Sequence, residues 1–143
     1  MLEPDRNLLQ QIGRTGRALV AAFEQQVGHP LPRWRILRAM AAEDGMTQKA
    51  LAKLLMMDPG SLTRQMKLLE SDGLVRRRAD PKDNRLTRVA LTEAGRCLIV
   101  DGEPLRQAFF TEAVGCVEPA QLEAAMVVLR TLEAHFDQAA GSR

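Results

Sequence analysis

Asp58-Pro59-Gly60-Ser61-Leu62-Thr63-Arg64-Gln65-Met66-Lys67-Leu68-Leu69-Glu70-Ser71 is the stretch on which the fold turns. Its first two residues are a helix start. The Asp side chain can accept from exposed first-turn amides, and Pro at the first helical position gives up an N–H that had no partner. On a wheel at about 100° per residue, Leu62, Met66 and Leu69 fall on one side while Gly60, Arg64, Lys67 and Ser71 face the other. Ser61 and Thr63 flank the polar face near the N-terminal end, which is where a recognition helix meets base edges in the major groove. Arg64 can donate two parallel hydrogen bonds to O6 and N7 of a guanine. The hydroxyls of Ser61 and Thr63 can serve bases or phosphates, Gly60 permits close approach, and Lys67 adds charge on the same face.

Working backwards, Thr47 is an N-cap opening a helix over Gln48 to Leu55, with Ala50, Leu51, Leu54 and Leu55 as its inward side and Met56-Met57 as the turn. Before it, Pro32 starts a helix over Arg33 to Ala42 that turns Trp34, Leu37 and Met40 or Ala41 inward, closed by Glu43-Asp44-Gly45. Working forwards, Gly73 stops the Pro59 helix. Leu74 to Arg77 and Thr87 to Leu91 are strand-like, separated by the turn-rich run Arg78 to Arg85, which predicts a hairpin with a basic tip. A slim ribbon of this kind can enter the minor groove, where Arg85 is the natural probe and Asp83 can hold its guanidinium in one direction. Arg76, Arg77, Arg78, Lys82 and Arg88 are assigned to phosphates, where they add salt-dependent affinity without reading sequence. Taken alone, the hairpin would also fit a solubilising charged loop.

Composition sets the frame. The 143 residues suit one ordinary domain, or a small module with extra helices that bury themselves on a second copy. Only 3% are aromatic, so the core is built of Leu, Ala and Val. The net charge of +2 hides an asymmetry: Arg33 to Arg96 holds 14 Lys/Arg against 8 Asp/Glu, and the ends together hold 6 against 10. A basic middle between acidic ends suits a polyanion such as double-stranded DNA, and charge taken alone fits a solvated face equally well. No apolar run reaches membrane-span length, and the acidic start at Met1 lacks the features of a signal peptide, so a cytoplasmic protein without membrane partners is expected. Cys97 and Cys116 have no CxxC partner and read as small reduced core residues, with a redox-sensing thiol as the alternative.

The remaining segments frame this lobe. Leu8, Leu9, Ile12, Leu19, Val20 and Phe23 predict a helix over Asn7 to Val27, Thr92 caps a long helix to about Val114 with a bend near Gly102 and Pro104, and Glu118-Pro119 opens a last helix to about Gln138. In that helix Leu122, Ala125 or Met126, Leu129, Leu132 and Phe136 form a seam suited to a partner helix; ordinary core packing is the other reading. The expected fold is mostly α with a small β-hairpin wing: an N-terminal dimerisation helix in 1–32, a winged helix-turn-helix lobe in 33–96 and C-terminal dimerisation helices in 97–143. Arg14 with Arg17, and Trp34 with Arg38, share helix faces; if those faces meet, they make a cationic, aromatic-walled cleft for a small aromatic carboxylate effector. The alternative places Trp34 in the core and the arginines in surface or dimer ion pairs.

The runs Trp34-x-x-Leu37, Thr47-Gln-Lys-Ala-Leu-Ala52, Ser61-Leu-Thr-Arg64, Leu69-Glu-Ser-Asp-Gly-Leu-Val75, Asp83-Asn-Arg85 and Leu91-Thr-Glu-Ala-Gly95 are similar to those of the MarR family of bacterial regulators. The resemblance covers about two thirds of the chain. It implies a homodimer with interlocked terminal helices, two winged lobes on a pseudopalindromic operator, repressor action and small anionic aromatics as effectors. The SlyA-like branch has similarly placed Arg and Trp near its effector sites. Family wings often read Asp-Arg-Arg; here Asn84 replaces the first Arg, which implies one weaker wing contact. Catalysis is not expected, because His29 and His135 lie far apart, no HExxH, GxSxG or phosphate loop occurs and the thiols lack a neighbouring His. No metal or cofactor is expected. The rival reading is an architectural or protein-interaction winged helix that never reads bases.

Overall fold

The computed structural model describes residues 4–141, so the acidic start at Met1 to Glu3 lies outside it. The order is α1 (Pro4–Val27), α2 (Leu31–Ala42), α3 (Gln48–Leu55), α4 (Pro59–Ser71), β1 (Val75–Ala79), β2 (Thr87–Leu91), α5 (Glu93–Gly115) and α6 (Pro119–Gly141). This is the expected mostly helical architecture with one antiparallel hairpin. By contacts the chain divides into two compact units, Met1–Arg106 and Gln107–Arg143.

Local chemistry sets the helix ends. Thr47 Oγ1 accepts from the Ala50 amide at 3.1 Å, and Asp58 Oδ2 accepts from the Ser61 amide at 2.9 Å. Between them Met56 adopts φ 54°, a left-handed conformation uncommon for a side chain of this size, and its N–H returns to the Ala52 and Lys53 carbonyls to close α3. Gly73, at φ 74°, ends α4. The core of the first unit takes Phe23 and Val27 from α1, Trp34, Ile36, Leu37 and Met40 from α2, Leu51 from α3, Leu62, Met66 and Leu69 from α4, and Val75, Val89 and Leu91 from the hairpin.

Two details differ from expectation. Ala50 and Leu54 are exposed, Leu54 at 59%, while Ala52 is buried. The inward arc of α3 is centred among Leu51, Ala52 and Leu55, which leaves Leu54 about 110° away. The first strand runs from Val75 through Ala79, because Arg78 pairs with Arg88 and Ala79 with Thr87 in the ladder, so the tip is shorter than Arg78 to Arg85. α5 is one helix through Gly102 and Pro104.

Two glycines permit close approach. A Cβ on Gly102 would lie 2.4 Å from the Trp34 ring, and one on Gly95 would lie 2.2 Å from the Leu74 carbonyl oxygen. The second contact fixes how α5 leaves the wing: Thr92 N–H donates to Leu74 O at 3.0 Å and Thr92 Oγ1 donates to Gly73 O at 2.6 Å. Helix propensity alone predicts that Gly95→Ala stabilises by about 1 kcal/mol. The contact predicts a loss of about 1–3 kcal/mol. Urea unfolding of the variant decides by sign, and a raised midpoint would refute the packing account.

Candidate nucleic-acid interface

The face that α4 offers is defined by what holds the helix. Leu62, Met66 and Leu69 are fully buried. At the C-terminal end Arg33 of α2 is ion-paired with Asp72, and the Glu70 carboxylate accepts from the Arg77 backbone N–H at 3.1 Å and from its Nη2 at 3.1 Å. That pairing, led by the Arg77 side chain, holds the Glu70 carboxyl below the usual range. Near the N-terminal end Gln48 Nε2 donates to Thr63 Oγ1 at 2.8 Å, across the α3–α4 junction.

Of the residues expected on the reading face, Arg64 and Lys67 are exposed. Arg64 Nη2 donates to Ser61 Oγ at 3.0 Å, so Ser61 braces the guanidinium as well as lying on the face itself. Gly60 has a second reason to lack a side chain: a Cβ there would sit 3.1 Å from Asp58 Oδ2 and crowd the cap. Thr63 is half-buried, and its hydroxyl is engaged on the protein side by Gln48 and by the Pro59 carbonyl at 2.9 Å.

The wing is anchored by a residue that sequence reading passed over. Asp80 is the one buried charged residue among those described. One carboxylate oxygen accepts from the Lys82 and Asp83 backbone amides, at 2.8 and 3.1 Å, and the other accepts from Arg88 Nε at 2.6 Å. The Lys82 N–H, then Arg88, holds its carboxyl below the usual range. Arg88 Nη1 also donates to Gly45 O at 2.5 Å, and the Val89 amide donates to Met46 O at 3.1 Å, so the segment before α3 is tied to β2. An Asp-Pro turn with a free carboxylate was the available signal. At the tip the Arg85 side chain is 90% exposed, and its Nε and Nη2 donate to the Asp83 carboxylate at 3.1 and 3.3 Å. Arg85 likewise lowers the Asp83 pKa.

The hairpin cations are therefore of two kinds. Arg77 and Arg88 are paired with Glu70 and Asp80, Arg88 while staying exposed, whereas Arg76, Arg78 and Lys82 are exposed and have no carboxylate partner among the described residues. The four residues considered for an aromatic-acid cleft also divide. Trp34 is 1% exposed, with Phe23 edge-on and His29 stacked, each 6.2 Å between centroids, and with Gly102 against its ring. It is a core residue. Arg38 lies 3.7 Å from Glu103, and Arg14 and Arg17 are exposed on α1. Cys97 and Cys116 are exposed rather than in the core, because they lie on outward positions of α5 and of the turn after it.

Comparison with known proteins agrees with this geometry. The MarR family pattern matches residues 30–87. The HTH-type transcriptional regulator YdgJ of Bacillus subtilis is 32% identical over 113 residues, which are 79% of this chain and 69% of that protein. A mutant MarR from E. coli complexed with operator DNA superposes with a TM-score of 0.80 at 22% identity, covering 88% of this chain and 93% of that one. BpsR of Bordetella bronchiseptica, whose DNA binding is regulated by 6-hydroxynicotinic acid, superposes at 0.77 with 22% identity over 89% and 98%. At such identity the two structures speak for the fold.

The two kinds of wing cation separate in a salt titration. Arg78→Ala should reduce the slope of log affinity against log salt by about one. Arg88→Ala should weaken binding with the slope unchanged, because it loosens the wing rather than removing a phosphate contact; equal slope changes would contradict the division. Since the Asp80 pKa is lowered on folding, its support is complete above the ordinary carboxylate range and is lost as pH falls through the lowered value. Amide NMR of the wing should thus stay native-like to about pH 4 and change below it, and Asp80→Asn should abolish that acid transition.

Proposed function

The chain belongs to the MarR family of winged helix-turn-helix transcriptional regulators, and from that premise we propose that it acts as a homodimeric repressor on a pseudopalindromic operator. The family is one of DNA-binding regulators, not enzymes. The observation that carries the base-reading part is Arg64: exposed, braced by Ser61, on a helix tied to its neighbours at both ends. In this reading Arg64 contacts a guanine in the major groove with Gly60, Ser61, Thr63 and Lys67 around it. Arg85, held by Asp83, enters the flanking minor groove, and Arg76, Arg78 and Lys82 contact phosphates.

Pairing of two chains is supported by the terminal helices. α6 has no buried residue among those described; Met126, Leu129 and Phe136 are 41–48% exposed, and on α1 Leu8 and Leu9 are 44% and 48% exposed. Such faces in water call for a cover, and a twofold operator calls for two lobes. For control, we propose a small aromatic acid. The core position of Trp34 argues against stacking on its indole, and Arg38 already faces Glu103, which leaves the exposed Arg14 and Arg17 available to a carboxylate. A small cavity of about 190 Å³ in the first unit, with apolar walls from Val20, Leu31, Pro32, Leu55 and Met57 and, among the described residues, one guanidinium, Arg35, has the apolar lining and lone cation that a single ring with one acid group would use. The hydroxynicotinic acid named for BpsR is of this class.

Selection of bound duplexes from random DNA tests the reading. The expected product is an inverted repeat, bound by two chains at least about a thousandfold more tightly than a scrambled duplex. Arg64→Ala should cost about 1–3 kcal/mol on the repeat and relax preference at one base pair per half-site. Equal affinity for repeat and scrambled DNA would instead leave an architectural winged helix.

A further inference from the structure

Thr63 has one hydroxyl and one methyl, and the protein has already engaged the hydroxyl. Its oxygen lies 2.9 Å from the Pro59 carbonyl, which can only accept, so the single hydroxyl proton goes there. The neighbour 2.8 Å away on Gln48 must then donate, which makes it the amide nitrogen. Gln48 Oε1 is buried and finds no hydrogen-bond partner among the described residues, so the bond to Thr63 is the one side-chain hydrogen bond this amide makes there. With Oγ1 engaged by Gln48 and by the Pro59 carbonyl, the part of this half-buried side chain left without a hydrogen-bonding role is Cγ2.

We propose that Thr63 reads a thymine by contact of its methyl with the base C5-methyl, and that Gln48 is the positioning residue that selects this orientation by holding the hydroxyl inward. The chemistry is selective: thymine alone carries a methyl in the major groove, and apolar contact with it is a recognised form of direct readout. Arg64, next along the helix and braced by Ser61, is the donor for a guanine. The two neighbours then read by different means. Thr63 does so without a hydrogen bond and discriminates thymine from uracil, which presents the same hydrogen-bonding groups. This assignment rests on the base-reading role proposed above for α4.

The test replaces each thymine of the selected repeat, one at a time, with deoxyuridine. One symmetric position should weaken binding of the unaltered protein by about three- to tenfold. Thr63→Val, which keeps the methyl and loses the hydroxyl, should retain that penalty; Thr63→Ser, which keeps the hydroxyl and loses the methyl, should abolish it. Gln48→Met should reduce the penalty in the unaltered background and leave it unchanged on top of Thr63→Val, where there is no hydroxyl to hold; a merely structural Gln48 would give equal effects in both. Thermal unfolding and affinity for scrambled duplex should be alike across the set. The reverse pattern, with Ser retaining and Val losing the penalty, overturns the proposal in favour of hydroxyl readout. Preference for the repeat without any uracil penalty overturns it while base reading stands. No preference for the repeat removes both.

Discussion

Helix α4 is held on every side except the one it presents. Leu62, Met66 and Leu69 fasten its back, Asp58 and the Gln48–Thr63 bond secure its first turns, and Arg33–Asp72 with Glu70–Arg77 secure its last. Each clamp comes from a different element: α2, α3 and β1. The position of the side chains on its free face is therefore a property of the whole lobe. Binding a rigid polymer through a few side chains loses less entropy when those side chains are ordered beforehand, and the two arginines proposed to read DNA, Arg64 and Arg85, already carry a fixing contact.

The same bonds change how the charge of the lobe should be read. A segment with an excess of Lys and Arg looks like a broad phosphate-binding surface. In the structure Arg33, Arg77 and Arg88 are tied to Asp72, Glu70 and Asp80, and these pairs join elements. Arg88 is the clearest case. It stands directly across the ladder from Arg78, a pairing of like charges that would weaken a hairpin, and Asp80 compensates it while also organising the turn. The wing is built around a buried carboxylate, and its outer cations are a smaller set than composition suggests.

Features with local chemical causes were legible in the sequence. Thr47, Asp58 and Pro59 mark helix starts because capping depends on residues within a turn of each other, and α3 and α4 begin and end where those signals put them. The three apolar positions of α4 follow from helical period alone. Asp83 and Arg85 are two residues apart, so their pairing could be foreseen. What escaped depended on partners distant in sequence. Asp80 and Gly45 meet through Arg88, 43 residues from Gly45. Gln48 meets Thr63 across the turn, so a hydroxyl that looks free in sequence is engaged within the protein. Trp34 looked equally suited to a cleft wall or a core. Gly102 decided it, since a residue with no side chain lets α5 lie against the indole, and no pattern within either helix reveals that contact.

The seam read along α6 was also only part of what the helix carries. Leu122 and Leu132 are half-buried and Met126, Leu129 and Phe136 are exposed along the expected line, but Val127 and Val128, 65% and 44% exposed, lie off it. A helix apolar around much of its circumference is stable in water only where more than one neighbour covers it. A two-helix contact along one stripe would leave these valines wet. In the proposed dimer, therefore, α6 would have to be enclosed by several helices rather than touched by one. A change in how those helices pack would then alter the spacing of two lobes whose own reading helices are rigidly held, and a ligand that favours one packing would act on DNA affinity without touching the DNA-binding face.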